Sequence, residues 1–163
     1  MKYLEARPDI KSGDLLAFSH SGWWSWHDIK ILLVRMFCRS EYSHVAIAWV
    51  VGGRVFAIEA VEPKARIFPL SKLGDFYWLR MSAPWSEKAE ETALAHIGDN
   101  YSEITAMRAF FAPLDKGNTE ECAALAITIA AADGINLGRR ATPDAVVKAA
   151  QLIGAPLYYV ENP

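Results

Sequence analysis

The runs Tyr42-Ser43-His44-Val45-Ala46-Ile47-Ala48-Trp49-Val50-Val51 and Arg54-Val55-Phe56-Ala57-Ile58-Glu59-Ala60-Val61 flank the dipeptide Gly52-Gly53. Both runs are rich in β-branched and aromatic residues, and two glycines between such runs mark a two-residue hairpin turn. The turn sets the register. If Val51 pairs with Arg54, counting back along both strands puts Ala46 opposite Glu59 and His44 opposite Val61. His44 and Glu59 then share a face as diagonal neighbours, a gap that long side chains can close. Glu62, opposite Ser43, points the other way. Small or modest residues (Ala46, Ala48, Val55, Ala57) line the rest of the shared face, while Val45, Ile47, Trp49, Phe56 and Ile58 occupy the other. Both faces are apolar, so these are expected to be central strands covered on two sides. The small-residue face is the one a helix could approach closely.

Upstream, Lys11-Ser12-Gly13-Asp14 reads as a turn into a short strand over 15–18, and apolar spacing predicts a helix from Trp24 to about Cys38. Trp23, Trp24 and Trp26 stand at the entrance of that helix, either as packing or as an aromatic wall or lipid-facing patch. Downstream, short strands are expected over 67–70 and 76–81, then a helix over 85–97 capped by Ser86 and stopped by Gly98. A helical stretch from Glu103 towards Phe111 follows, and residues 113–118 form a loop that delivers the chain to Thr119-Glu120-Glu121-Cys122. Thr119 suits a helix N-cap, which places Cys122 one turn into a helix whose next ten residues, 123–132, carry no charge. Thr142-Pro143-Asp144 starts another helix, over 144–153, and 157–160 is a last strand. The order suits an α+β domain with helices packed on a mostly antiparallel sheet.

With 163 residues the chain is expected to form one domain, spanning 1–163. A net charge of −2, with the basic residues scattered, gives no electrostatic reason to propose nucleic acid as a partner. The N-terminal residues are charged and lack an apolar run, and the apolar segment 123–132 is too short to span a bilayer. The expectation is a cytoplasmic protein as synthesised, of host or phage origin, with export by another route still compatible. Cys38 and Cys122 cannot build a disulfide framework, and no CxxC or HxxxH spacing suggests zinc, so neither a metal nor another cofactor is expected.

A cysteine on the first turn of a buried helix is either packing or a nucleophile, and the helix dipole there favours thiolate. A nucleophilic thiol needs a base, and the base needs a third group to orient it. Cys122, His44 and Glu59 are the candidates for those parts. His44 in a buried strand could equally be a core histidine bonded to a carbonyl. Glu59, between Ile58 and Ala60 in a doubly covered strand, is costly to bury without a partner, and His44 supplies one. His20 and His27 have no carboxylate placed beside them. Cys38, late in its expected helix, reads as structural.

Gly13-Asp14-Leu15-Leu16, Tyr42-Ser43-His44-Val45-Ala46-Ile47, Ile58-Glu59-Ala60, Gly98-Asp99-Asn100-Tyr101 and Glu121-Cys122 occur in an order that resembles the circularly permuted NlpC-type papain-like hydrolases. In that group the histidine and acidic strands precede the cysteine helix. The resemblance covers roughly residues 12–132, and its most specific part is Ser43 to Ile47 followed by the glutamate strand. It implies a papain-like fold, with Cys122 as nucleophile, His44 as base, Glu59 as orienting residue and Tyr101 near the substrate or oxyanion. The chain departs from the family in carrying Ala123 where serine commonly follows the cysteine.

The leading expectation is therefore a cysteine peptidase or amidase that cleaves an amide through a thioester, with a cell-wall (peptidoglycan) peptide as the substrate that the resemblance suggests. Two rivals are a lipid acyltransferase or deacylase of the lecithin:retinol acyltransferase type, contacting lipid through Trp23, Trp24 and Trp26, and a non-catalytic domain that binds a peptide or protein.

Overall fold

A computed structural model describes residues 1–19, 41–83, 85–100 and 121–162. The order is α1 (Tyr3–Ala6), β1 (Leu15–Phe18), β2 (His44–Val51), β3 (Arg54–Val61), β4 (Lys64–Pro69), a 3-10 turn (Leu70–Lys72), β5 (Phe76–Leu79), α2 (Glu87–Ala95), α3 (Glu121–Ala132), α4 (Pro143–Leu152) and β6 (Leu157–Val160). The strands form one antiparallel sheet in the order β4-β3-β2-β1-β5-β6, so the class is α+β as expected. β2 and β3 are interior strands. The helices expected over 24–38 and 103–111, and the cap Thr119 with Glu120, lie outside the described residues.

The β2–β3 hairpin has the register that its turn dictates: Val51 pairs with Arg54 and Ile47 with Ile58. Gly52 and Gly53 both have positive φ, +56° and +72°, which a type I′ turn demands of its two central residues. A second tight connection at Glu62-Pro63 sets Val61 against Lys64 and Glu59 against Arg66. β4 is longer than the sequence suggests because this hairpin zips from its turn. α2 is shorter, with Ser86 Oγ accepting from the Ala89 N–H at 3.1 Å. Thr142 caps α4 in the same way through Ala145, with Pro143 in the first turn.

One expectation about packing is overturned. α3 does not lie on the small-residue face of β2 and β3. Its Cys122, Ala123, Ala124, Leu125 and Ile127 share an apolar cluster with Val45, Ile47, Ile58 and Ala60, on the opposite face. The small face, with Ala46, Ala48, Val55 and Ala57, continues on β5 with Phe76 and Trp78 and shares its cluster with Tyr3, Ile10 and Leu70 from outside the strands. Volume explains both choices. Close packing needs bulk on one side of each interface: the alanine-rich helix seats against the large strand residues, and the larger Tyr3, Ile10 and Leu70 seat against the small face.

β1 is tied to its neighbours by Asp14, which is 1% exposed. Its carboxylate accepts from Lys11 N–H, from Trp78 Nε1 and from Met81 N–H at 2.8–2.9 Å. Among the described residues, no helix is long and apolar enough to cross a membrane.

Candidate functional site

His44 opens β2, beyond the last rung of the β2–β3 ladder and paired with Phe18 of β1. The Phe18 ring packs beside the imidazole, with centroids 5.7 Å apart. His44 Nε2 and Glu59 Oε2 are 2.9 Å apart, as the hairpin register requires of diagonal neighbours. Cys122, in the first described turn of α3, lies close enough to His44 to act on its protonation. With Nε2 held by Glu59, Nδ1 is the ring nitrogen left for the thiol. The contact forms at the end of the sheet, where β2 begins. This resolves how Cys122 can pack with one face of the sheet while His44 belongs, by alternation, to the other.

Glu59 is 2% exposed, and a buried carboxylate without partners would be unstable as an anion. It has two. Oε2 faces His44, while Oε1 accepts from Arg66 Nε at 2.8 Å and lies 2.8 Å from Arg66 Nη2. Burial works against the charge on Glu59, but His44 and Arg66 outweigh it and hold the carboxyl below its ordinary pKa. Burial also works against a proton on His44. The hydrogen bonds and charges of Cys122 and Glu59 prevail there, and raise the ring from 6.5 to about 10. At neutral pH the ring is an imidazolium. Nε2–H donates to the carboxylate, and the remaining ring N–H can serve as a proton donor to a leaving group.

The structure thus brings together Cys122, His44 and Glu59. Glu121, immediately before the cysteine, is buried. Tyr101, His20, His27, Cys38 and the cluster Trp23, Trp24 and Trp26 lie outside the described residues. The described chain runs up to Asn100, whose backbone bridges to Lys64 at the start of β4. Sequence reasoning missed Arg66. A signal for it was present: Glu62-Pro63 breaks the strand pattern much as Gly52-Gly53 does, and a two-residue connection there sets Arg66 directly across from Glu59. Among the described residues, no group of three or more His, Cys, Asp or Glu side chains is arranged to hold a metal ion. His44 Nε2 and both oxygens of Glu59 are already engaged within the site.

No protein-family model matches the chain. No curated protein matches it in sequence. Among solved structures it is similar to one described as the metalloprotein yiiX from Escherichia coli O157:H7, DUF1105, with a TM-score of 0.56 at 16% identity, over 94% of this chain and 97% of that one. At that identity the likeness is one of fold.

Proposed function

We propose that the chain is a cysteine hydrolase that cleaves an amide bond, built on a permuted papain-like fold of the NlpC type. The observation that carries this reading is the juxtaposition of Cys122, His44 and Glu59, with His44 bonded to Glu59 at 2.9 Å and Cys122 close enough to act on the ring. It is the set of parts that nucleophilic thiol catalysis requires, in the chain order of that group: histidine strand, acidic strand, cysteine helix.

In the proposed cycle, Sγ of Cys122 attacks the carbonyl carbon and the carbonyl π electrons move to oxygen. Backbone N–H groups beside Cys122 would stabilise that oxyanion. As the tetrahedral intermediate collapses, the C–N bond breaks and His44 Nδ1–H gives its proton to the departing amine, leaving a thioester and neutral imidazole. His44 then takes a proton from water as the oxygen attacks the thioester. The C–S bond breaks, the acid is released, and thiolate and imidazolium are restored. Glu59 stays ionised throughout and holds the ring through Nε2.

A cell-wall peptide is the substrate class that the family resemblance favours. The word metalloprotein belongs to the structural neighbour. The described residues of this chain do not fit such a site, because the candidate ligands His44 and Glu59 are committed to one another and to Arg66, so no step is routed through a metal. The test is turnover of peptidoglycan-derived peptides by the full chain, followed by release of free amine. Cys122→Ala should abolish it and His44→Ala should lower it by at least about a hundredfold. Unchanged turnover in Cys122→Ala would sink the reading.

A further inference from the structure

Glu59 has a permanent partner as well as a switching one. His44 is charged for one half of the proposed cycle and neutral for the other, whereas a guanidinium is a fixed charge. Arg66 comes from the edge strand β4, directly opposite Glu59 in the register. Two of its nitrogens converge on a single oxygen, Oε1, leaving Oε2 to His44 alone. The guanidinium carbon lies 4.5 Å from the centroid of Phe68, two residues along the same strand face, and this stacking restricts the side chain.

The geometry points to Arg66 as the positioning residue of the site: its fork pins the Glu59 carboxylate so that Oε2 is delivered to His44, and its fixed charge carries Glu59 through the steps in which the imidazole is neutral. This rests on the reading of Cys122, His44 and Glu59 as a hydrolytic triad. Without the fork the carboxylate could rotate and take the ring with it, misdirecting Nδ1 from Sγ. Without the fixed charge, a buried carboxylate facing neutral imidazole would be uncompensated, so His44 would cling to its proton and become a poorer acid.

The charged and titratable groups that face His44 among the described residues are Cys122 on α3 and Glu59 on β3, with Arg66 on β4 acting through Glu59; from β1 it meets only the uncharged Phe18 ring. Glu59 is still ionised where His44 titrates, so removing Arg66 takes away a positive charge close to the ring and favours the protonated form. The experiment is a pH titration of the His44 ring nitrogens by ¹⁵N NMR in the full-length chain. Arg66→Gln should raise the pH at which His44 loses its proton by about one unit. Arg66→Met, which keeps the stem against Phe68, should do the same and serves if the glutamine variant folds poorly. Arg66→Lys should bring the titration back towards wild type, and Glu59→Gln should move it the opposite way. Titrations of Arg66→Gln and Arg66→Met that superpose on wild type would overturn the assignment. Because the ring is read directly, the result stands apart from turnover: active protein with an unmoved titration removes Arg66 and keeps the hydrolase, while a moved titration with turnover indifferent to Cys122 keeps the coupling to His44 and removes the hydrolase.

Discussion

Glu59 is buried and His44 half-buried, and burial opposes the charge on each; His44 is held charged by Cys122 and Glu59, and Glu59 by His44 and Arg66, so they couple the site to the stability of the fold. The two act over different ranges of pH. The folded pKa of His44 is raised, so its stabilisation is whole below the ordinary value of 6.5 and is lost as pH climbs through about 10. That of Glu59 is lowered, so its share is whole above 4.5 and is lost as pH falls through its folded value. The contributions overlap fully only between about 4.5 and 6.5. The gap in urea unfolding midpoint between wild type and His44→Gln is therefore expected to be widest in that window and to narrow steadily towards pH 10. A gap that stays constant from mildly acid to strongly alkaline solution would mean that the pair is not ionic in the folded chain. The comparison isolates His44 with its partners Cys122 and Glu59, since carboxylates elsewhere, such as Asp14, titrate in both proteins alike.

The hairpin that carries this pair depends on two glycines, and here the backbone itself sets a cost. Gly52 and Gly53 have φ of +56° and +72°, and no atom lies within 4 Å of the place a Cβ would take on either, so space is free and only conformation objects. Gly53→Val is expected to destabilise by about 1–2 kcal/mol, while Gly52→Asn, which tolerates the left-handed region, should be nearly neutral by chemical denaturation. Equal losses from both substitutions would show that the turn is not held as type I′. The same locality explains what could be read in advance. Gly52-Gly53 fixes a register over neighbouring residues, so the closeness of His44 and Glu59 was legible, as were β1, β6 and the caps at Ser86 and Thr142. The face chosen by α3 was not. It depends on complementary volumes between residues far apart in the chain, with alanines on the helix and Ile47 and Ile58 on the strands, and alternation alone treats both apolar faces as equivalent.

At the scale of the molecule, Asp14 ties β1 to the neighbouring β5, and two of the donors it collects lie 64 and 67 residues further along the chain. This is why Gly13-Asp14 reads locally as nothing more than a turn. Burial pushes the Asp14 pKa up, against the hydrogen bonds from Lys11, Met81 and Trp78 and the charge of Arg80. Oδ2 accepts from Lys11 N–H and Trp78 Nε1, and Oδ1 from Met81 N–H. Three donors converge on two oxygens, and Trp78 is only 2% exposed, so truncation would strand buried N–H groups that have nowhere else to turn. Asp14→Ala should cost about 2–4 kcal/mol in unfolding free energy. Asp14→Asn should recover little of this despite its shape, because an amide has one acceptor oxygen and its NH₂ would confront at least one of the same donors. Denaturant titration of the two variants separates the explanations. If asparagine restores wild-type stability, shape fills the site and the charge is incidental. If alanine costs less than about 1 kcal/mol, water replaces the carboxylate and the strand junction rests on apolar packing alone.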